Sequence, residues 1–248
     1  MYPNLIHLGY FTLPTFGALA AIGLIAGLTL SLRTAAKVGL SPEKVWNAGL
    51  FTILAAFVLS RFLLVVTNLR DFLTYPILLL MVPSLTAAGL FLTAIATALY
   101  LRFRRLPILR TLDAWAPCAT LIWAFLALGH FAEGSDPGLP SRLPWGIAIP
   151  PSALKLHPVA LYAAIAAILI TLGLLRYLTP HRHAGDTIAS ALVATGVAQY
   201  LLTFLRQPFP YPVPLGNLLD PIQWIALGMI ATAGLISLQS RKLVTHAV

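Results

Sequence analysis

The feature that most constrains this chain is a series of long apolar stretches joined by short polar connections. A membrane-spanning helix needs about 20 mainly apolar residues. Seven stretches meet that length, at 12–32, 45–67, 74–101, 111–131, 157–176, 185–205 and 219–239. Only 9% of the residues are charged, against roughly a quarter in an average soluble domain. The sequence therefore predicts an all-α integral membrane protein of about seven transmembrane helices, with residues 1–248 forming a single polytopic domain.

Basic residues predict how these helices are oriented. Eleven of the 16 Lys and Arg residues follow the first, third, fifth and seventh stretches: Arg33, Lys37, Lys44, Arg102, Arg104, Arg105, Arg110, Arg176, Arg182, Arg241 and Lys242. Because short basic loops stay in the cytoplasm, the N-terminus is expected outside and the C-terminus in the cytoplasm. The net charge of +9 comes from these clusters, so no nucleic-acid partner is expected.

Two proline-rich connections are expected on the outer face. Residues 132–156 form the longest loop and are predicted to make a small extracytoplasmic head, and residues 207–215 read QPFPYPVPL, which favours an extended backbone. Within the third stretch, Pro83 is followed by Ser84. That stretch is therefore either one long helix or a re-entrant segment joined to a helix.

Two arginines near the outer ends of predicted helices are candidate phosphate ligands. Arg61 lies between the apolar runs 45–59 and 62–66, and Arg206 ends the sixth stretch. A charge inside a membrane usually faces a cavity or a partner, and a planar guanidinium suits bidentate capture of phosphate. Snorkelling to the interface is the alternative for both, and a structural ion pair is a further one for Arg61. Gln199, two turns before Arg206 on the same face, belongs to this site or pairs as a buried amide with a neighbouring helix.

The end of the fourth stretch, LGHFAEGSDPG, holds His130, Glu133 and Asp136. His130 and Glu133 share a helix face at a spacing of three. A histidine supported by a carboxylate can act as a general base, and the alternative is a helix end that meets water. His157 opens the fifth stretch, with Tyr162 about one turn later, which is also the pattern of an ordinary helix start with an interfacial tyrosine.

Three further polar residues inside the apolar stretches are expected to have structural roles. Cys118 is the one cysteine and is expected to be a packing residue. Asp113 and Asp220 each lie at the entrance of a helix, where a carboxylate caps free N–H groups. No nucleotide-binding loop or metal-binding motif is present in the sequence, so no cofactor and no metal are expected.

Several short sequence motifs follow one another in order along the chain. They are YPNLIHLGYFTLPTFG at 2–17, SRFLLVV around Arg61, LDAWAP around Asp113, GHFAEG at 129–134, PWGIAIP at 144–150, HPVALYAA at 157–164 and TFLRQP at the end of the sixth stretch. Together they resemble the prolipoprotein diacylglyceryl transferase family over nearly the whole chain. The most specific part is the histidine-proline-x-x-leucine-tyrosine string after a proline-tryptophan-glycine loop.

The resemblance implies an enzyme of lipoprotein biosynthesis in the bacterial cytoplasmic (inner) membrane. Such an enzyme moves a diacylglyceryl group from phosphatidylglycerol, a membrane lipid, to the thiol of a lipobox cysteine in a lipoprotein precursor. The resemblance implies that Arg206 and Arg61 hold the phosphate, on which negative charge builds, and that His157 and Tyr162 shape the site. His130 and Glu133 stand where the family has asparagines; we expect His130 to take the thiol proton, and Glu133 and Gln199 to complete the substrate-binding set.

The chain departs from the family pattern where this chemistry would take place. Ala87 stands in place of the family's histidine, and Ala127 and Gln199 each stand in place of an arginine. Each lost electrostatic donor costs about 2.7–4 kcal/mol of transition-state stabilisation. Two hypotheses follow, a diacylglyceryl transferase in which His130 supplies the base, and a catalytically inactive relative that binds phospholipid or lipoprotein precursor. A small-solute transporter is a third class, which the lack of an inverted repeat disfavours.

Overall fold

The computed structural model describes residues 4–8, 11–75, 86–148, 154–208 and 219–245. Eight helices lie in these ranges: α1 (Thr15–Lys37), α2 (Pro42–Thr67), α3 (Leu69–Thr74), α4 (Ala87–Phe103), α5 (Ile108–Glu133), α6 (Val159–Tyr177), α7 (Asp186–Thr203) and α8 (Pro221–Thr245). Two short antiparallel strand pairs accompany them: β1 (Asn4–Leu8) with β2 (Phe11–Pro14), and β3 (Ile147–Ala148) with β4 (Lys155–Leu156).

Five helices are long and apolar enough to cross a membrane, namely α1, α2, α5, α6 and the part Pro221–Leu238 of α8. Helix α4 is apolar but has 17 residues, and α7, which carries Asp186 and Gln199 among its 18 residues, is not in this group. The prediction of a helical, multi-pass membrane protein is therefore confirmed, and the count of seven spans stays a prediction. Pro83 and Ser84, on which the re-entrant alternative rests, lie outside the described residues.

Helix α5 is the centre of the bundle, because it packs against α1, α6 and α7. Its buried side chains are mostly small: Thr111, Asp113, Ala114, Ala116, Pro117, Cys118, Thr120, Ala124, Ala127 and Gly129. On α1, a Cβ added to Gly23 would lie 2.6 Å from Phe125, and one added to Gly27 would lie 2.7 Å from Ile122. In a membrane such close approach provides the dispersion contacts that hold helices together, since lipid gives no hydrophobic driving force between them.

Hydroxyl groups add hydrogen bonds between the helices. The Oγ1 atoms of Thr120 on α5 and Thr171 on α6 lie 2.8 Å apart, and Thr97 on α4 donates to Thr52 on α2 at 3.1 Å. Such bonds between membrane helices contribute about 0.6 kcal/mol each. Cys118 is buried, as expected of a packing residue.

Asp113 joins α5 to the start of α7. Its carboxylate is 2% exposed and accepts hydrogen bonds from the backbone N–H groups of Gly185, at 2.7 Å, and Ile188, at 2.9 Å. The sequence correctly predicted a capping residue but placed the cap on the wrong helix, because Asp113 caps α7 rather than α5. Asp220 caps its own helix α8 as predicted, with Oδ1 accepting from the Ile222 N–H at 2.9 Å.

Substitution of Gly89 by alanine is expected to loosen the contact between α2 and α4. Gly89 is buried, and a Cβ there would overlap the backbone and hydroxyl of Ser60 on α2. Overpacking of this kind costs about 1–3 kcal/mol, so Gly89→Ala should lower the midpoint of thermal unfolding in detergent. The matched control is Gly173→Ala, because a Cβ at Gly173 meets nothing within 4 Å. Equal midpoints for the two variants would contradict this contact.

Candidate functional site at the end of the bundle

The site lies where α5 ends, α6 begins and α7 ends. Gly134, with a φ of 73°, turns the chain at the end of α5, and its N–H donates to the His130 carbonyl at 2.9 Å. Beyond this turn the Leu139 N–H donates to the Leu205 carbonyl at 2.8 Å, and the His157 N–H donates to the Leu139 carbonyl at 3.0 Å. These backbone bonds hold the loop against the ends of α6 and α7 and bring several predicted site residues together.

Arg206 is paired with Asp136 in this loop. Its Nε and Nη2 atoms lie 3.1 and 2.8 Å from Asp136 Oδ2, and both side chains are 20% exposed. An antiparallel bridge between Gly138 and Arg206 fixes the backbone on which the pair forms. Within the described residues Nη1 of Arg206 makes no hydrogen bond, so this nitrogen is available to an incoming acceptor.

His130 is exposed at the end of α5, with one ring nitrogen engaged. Its Nδ1 lies 2.8 Å from the Ser135 hydroxyl, and its ring centroid lies 4.8 Å from that of Phe16. The carboxylate support expected from Glu133 is not seen, since no hydrogen bond or ion pair joins the two side chains in the described part of the chain. With Nδ1 bonded to Ser135, Nε2 is the nitrogen left to exchange a proton with a substrate.

His130 and His157 line one small cavity of about 20 Å³, together with Asp136 and Leu156. His157 Nδ1 is buried and has no hydrogen-bond partner among the described residues. A buried polar atom without a partner costs about 1–3 kcal/mol, and a cavity of this size holds about one water molecule. The arrangement therefore suits a water or a substrate group bound to His157.

Tyr162 completes this side of the site. Its ring centroid lies 6.3 Å from that of His157, and its hydroxyl accepts a hydrogen bond from Trp145 Nε1 at 2.8 Å. The indole thereby attaches the loop before β3 to the first turn of α6. Sequence reasoning missed this contact, although the proline-tryptophan-glycine triplet at 144–146 had been noted.

A larger cavity of about 230 Å³ adjoins Arg206 and is also lined by Asp136, Gln207 and Asp220. Asp136 lines this cavity and the smaller one at the histidines. Arg206 and the two histidines therefore belong to one site, linked through Asp136. The sequence analysis named Asp136 but not its partner. The signal that could have found the pair is that a chain with seven acidic residues has few counter-charges for a partly buried arginine.

Ala127 lies in the packed region between α5, α6 and α7, and Gln199 lies on α7. Ala127 is buried and packs with Val159, Ala163 and Leu202. Gln199 Oε1 is buried without a partner among the described residues, so the pairing with a neighbouring helix that the sequence suggested is not observed there.

Arg61 belongs to α2, which packs against α1 and α4, and it is not among the described residues that line the two cavities. The structure thus brings His130, His157, Tyr162 and Arg206 together, and the role expected of Arg61 stays a prediction. Among the described residues no group of three His, Cys, Asp or Glu side chains is placed to hold a metal ion.

Apolar helices with a polar site at one end define the class, a multi-pass membrane protein. The family model of prolipoprotein diacylglyceryl transferase matches residues 3–239, and the chain belongs to this family. This result confirms the resemblance found in the sequence motifs.

Three relatives illustrate the extent of the similarity, and each is named a phosphatidylglycerol–prolipoprotein diacylglyceryl transferase. That of Clostridium tetani is 25% identical over 236 residues, which are 92% of this chain and 93% of the relative. That of Methylobacillus flagellatus is 27% identical over 240 residues, 92% of each chain. That of Bordetella parapertussis is 31% identical over 157 residues, 62% of this chain and 60% of the relative.

Removal of the Arg206 side chain is expected to release the loop from α7. A partly exposed ion pair contributes up to about 1 kcal/mol, so Arg206→Ala should speed hydrogen exchange of the Leu139 amide, which bonds to Leu205, by up to about fivefold. The control is Arg182→Ala, because Arg182 stacks on Tyr177 at the other end of the bundle. Unchanged exchange at Leu139 in Arg206→Ala would show that the ion pair does not hold the loop.

Proposed function

We propose that this chain transfers a diacylglyceryl group from phosphatidylglycerol to the cysteine thiol of a lipoprotein precursor at the outer face of the bacterial cytoplasmic membrane. The observation that carries the proposal is the family match over residues 3–239, and the substrates are those in the names of the relatives. In the reaction a glycerol carbon–oxygen bond to phosphate breaks. The thiolate sulfur bonds to that carbon, glycerol phosphate leaves, and the thiol proton goes to a base.

Each gathered residue has a role in this reaction that its surroundings support. Arg206, oriented by Asp136, would present Nη1 to the phosphate and stabilise the charge that builds there. His130 would accept the thiol proton at Nε2, with Ser135 orienting the ring from Nδ1. His157 and Tyr162 would shape the wall of the substrate site.

Three residues that the family pattern leads us to expect are replaced in this chain, and the site lacks the charges they would provide. With Ala87, Ala127 and Gln199 in place of a histidine and two arginines, stabilisation of the leaving phosphate rests mainly on Arg206. Arg61 stays a proposed phosphate contact on the α2 side, and Glu133 and Gln199 stay proposed substrate contacts. Similarity to named transferases over 92% of the chain supports a transferase rather than an inactive relative.

We further propose seven spans with the N-terminus outside, the C-terminus in the cytoplasm and residues 132–156 as an extracytoplasmic head. Arg142→Cys and Ser41→Cys test this arrangement, because both side chains are exposed and the native Cys118 is buried. In intact cells a membrane-impermeant maleimide should label Arg142→Cys, whereas Ser41→Cys should be labelled only after the cells are opened. Labelling of Ser41→Cys in intact cells would reverse the orientation.

Complementation tests the activity directly. A host depleted of its own diacylglyceryl transferase should regain growth when it expresses this chain, and a reporter lipoprotein should gain the mass of a diacylglyceryl group. His130→Ala should abolish this mass gain if His130 is the base, since general acid–base groups contribute about 10²–10⁴-fold to a rate. His183→Ala, in the connection before α7, is the control histidine and should retain the mass gain.

Two results would overturn parts of this proposal. If the chain is present in the membrane and the reporter stays unmodified, the chain is the inactive relative and its substrates are only ligands. If the reporter is modified equally by the His130→Ala variant, the base lies elsewhere in the site while the transferase function stands.

A further inference from the structure

A cavity inside the bundle lies far from the site just described. It has a volume of about 200 Å³ and lies between α1, α2 and α5, where it is lined by Gly27, Gly49, Thr52 and Trp115, among others. Trp115 and His130 are both on α5, and 15 residues of helix separate them by about 22 Å. The cavity is therefore in the opposite half of the bundle from the histidines and Arg206.

One hydrogen-bond donor that lines the cavity has no acceptor among the described residues. Trp115 Nε1 is buried and has no partner among the described residues. A Cβ added to Gly49 would lie 3.7 Å from this nitrogen and 3.0 Å from Leu28 Cδ2, so the glycine keeps open the space in front of the indole N–H. Because tryptophan N–H groups usually find a partner when buried, the arrangement fits a ligand that is largely apolar and carries one acceptor.

Positive charge surrounds the same end of the three helices. Arg33 on α1 and Lys44 on α2 each lie within five residues of a cavity-lining residue, on the side away from His130. Arg110 on α5 is at the same end, where it donates to the Pro180 carbonyl at 3.2 Å. The segments 33–44 and 102–110 hold seven basic residues and one acidic residue, Glu43. A ligand that enters the cavity from this end therefore meets an excess of cations.

The positions of Arg110 and Trp115 along the axis of α5 correspond to the depths of the head group and the ester group of a phospholipid. Arg110 precedes Trp115 by five residues, about 7.5 Å along the helix axis. The head-group layer of a bilayer is of similar thickness, roughly 5–7 Å on each side of the hydrocarbon core. An anionic head group at the depth of Arg110, beside α1 and α2, would place an ester carbonyl close to the depth of Trp115 and the acyl chain deeper in the cavity.

We propose that this cavity binds one acyl chain of an anionic phospholipid from the leaflet beside the basic loops. The ester carbonyl of the lipid accepts a hydrogen bond from Trp115 Nε1, and its phosphate lies near Arg33 and Lys44. The lipid is a bound structural ligand and not the lipid consumed at the opposite end. The inference therefore does not depend on the proposed transferase function.

Thermal unfolding of the full chain in detergent tests this binding. Dioleoylphosphatidylserine, added in increasing amounts to the micelles, should raise the unfolding midpoint, because a ligand of the folded state stabilises it. Dioleoylphosphatidylcholine should raise it less, since it carries no net charge. Phosphatidylserine is chosen because it is not the lipid named for the relatives, and His130→Ala should leave its effect unchanged.

Variants at the cavity separate specific binding from general lipid solvation. Gly49→Leu fills the space and should remove the phosphatidylserine-dependent rise, whereas Gly173→Leu, where an added Cβ meets nothing within 4 Å, should keep it. Gly49→Ala is the milder variant if Gly49→Leu does not fold. Trp115→Phe keeps an aromatic ring but loses the donor, and it should weaken the apparent affinity roughly two- to tenfold, the effect of one hydrogen bond.

Each outcome bears on the proposal. A full phosphatidylserine-dependent rise in Gly49→Leu, or in Gly49→Ala where only that variant folds, would overturn the proposed position of the acyl chain. Equal stabilisation by phosphatidylcholine would overturn the choice of an anionic lipid. Unchanged affinity in Trp115→Phe would overturn the hydrogen bond to the ester carbonyl.

Discussion

The close packing of α5 against three neighbours is the constraint on which the rest of the structure depends. Lipid is as apolar as the helices, so they hold together only where small side chains let their surfaces approach. The glycines of α1 that face Phe125 and Ile122 provide this on one side, and the buried alanines of α5 provide it on the other. Because α6 and α7 pack on the same helix, the position of α5 decides how near His157 and Arg206 come to His130.

Apolar length is a local property, which is why the five long helices fall where the sequence predicted them. Pairings between distant residues are not local. Asp113 bonds to the amide of Gly185, 72 residues later at the start of α7, and Asp136 bonds to an arginine 70 residues away. Each contact depends on which helix ends are neighbours in the fold, and the hydropathy pattern carries no information about that arrangement. The ring of His130 bonds to Ser135, which follows the left-handed turn at Gly134, and not to the Glu133 carboxylate that the helical spacing favoured as one of two alternatives.

The replaced arginine positions involve packing as well as charge. Ala127 is enclosed by the buried Val159, Ala163 and Leu202, and Gln199 lies one turn before Leu202 on α7. An arginine at position 127 would need space that these side chains now fill, together with a counter-charge to offset its desolvation. If the correspondence implied by the resemblance holds, an Ala127→Arg substitution would therefore meet a steric cost as well as an electrostatic one.

Arg206 consequently acts under different conditions from a cation in an arginine-rich site. Asp136 already binds two of its nitrogens, and Asp136 and Asp220 outnumber it around the larger cavity. Net positive charge around this cavity therefore attracts a phosphate only weakly. The ion pair instead orients the arginine, because the Asp136 carboxylate fixes the plane of the guanidinium and the direction in which Nη1 points. A bound phosphate must either use that one nitrogen or compete with Asp136 for the other two. In the proposed reaction, the strength of the Asp136–Arg206 bond would thus set how much of the guanidinium charge is available to the leaving phosphate.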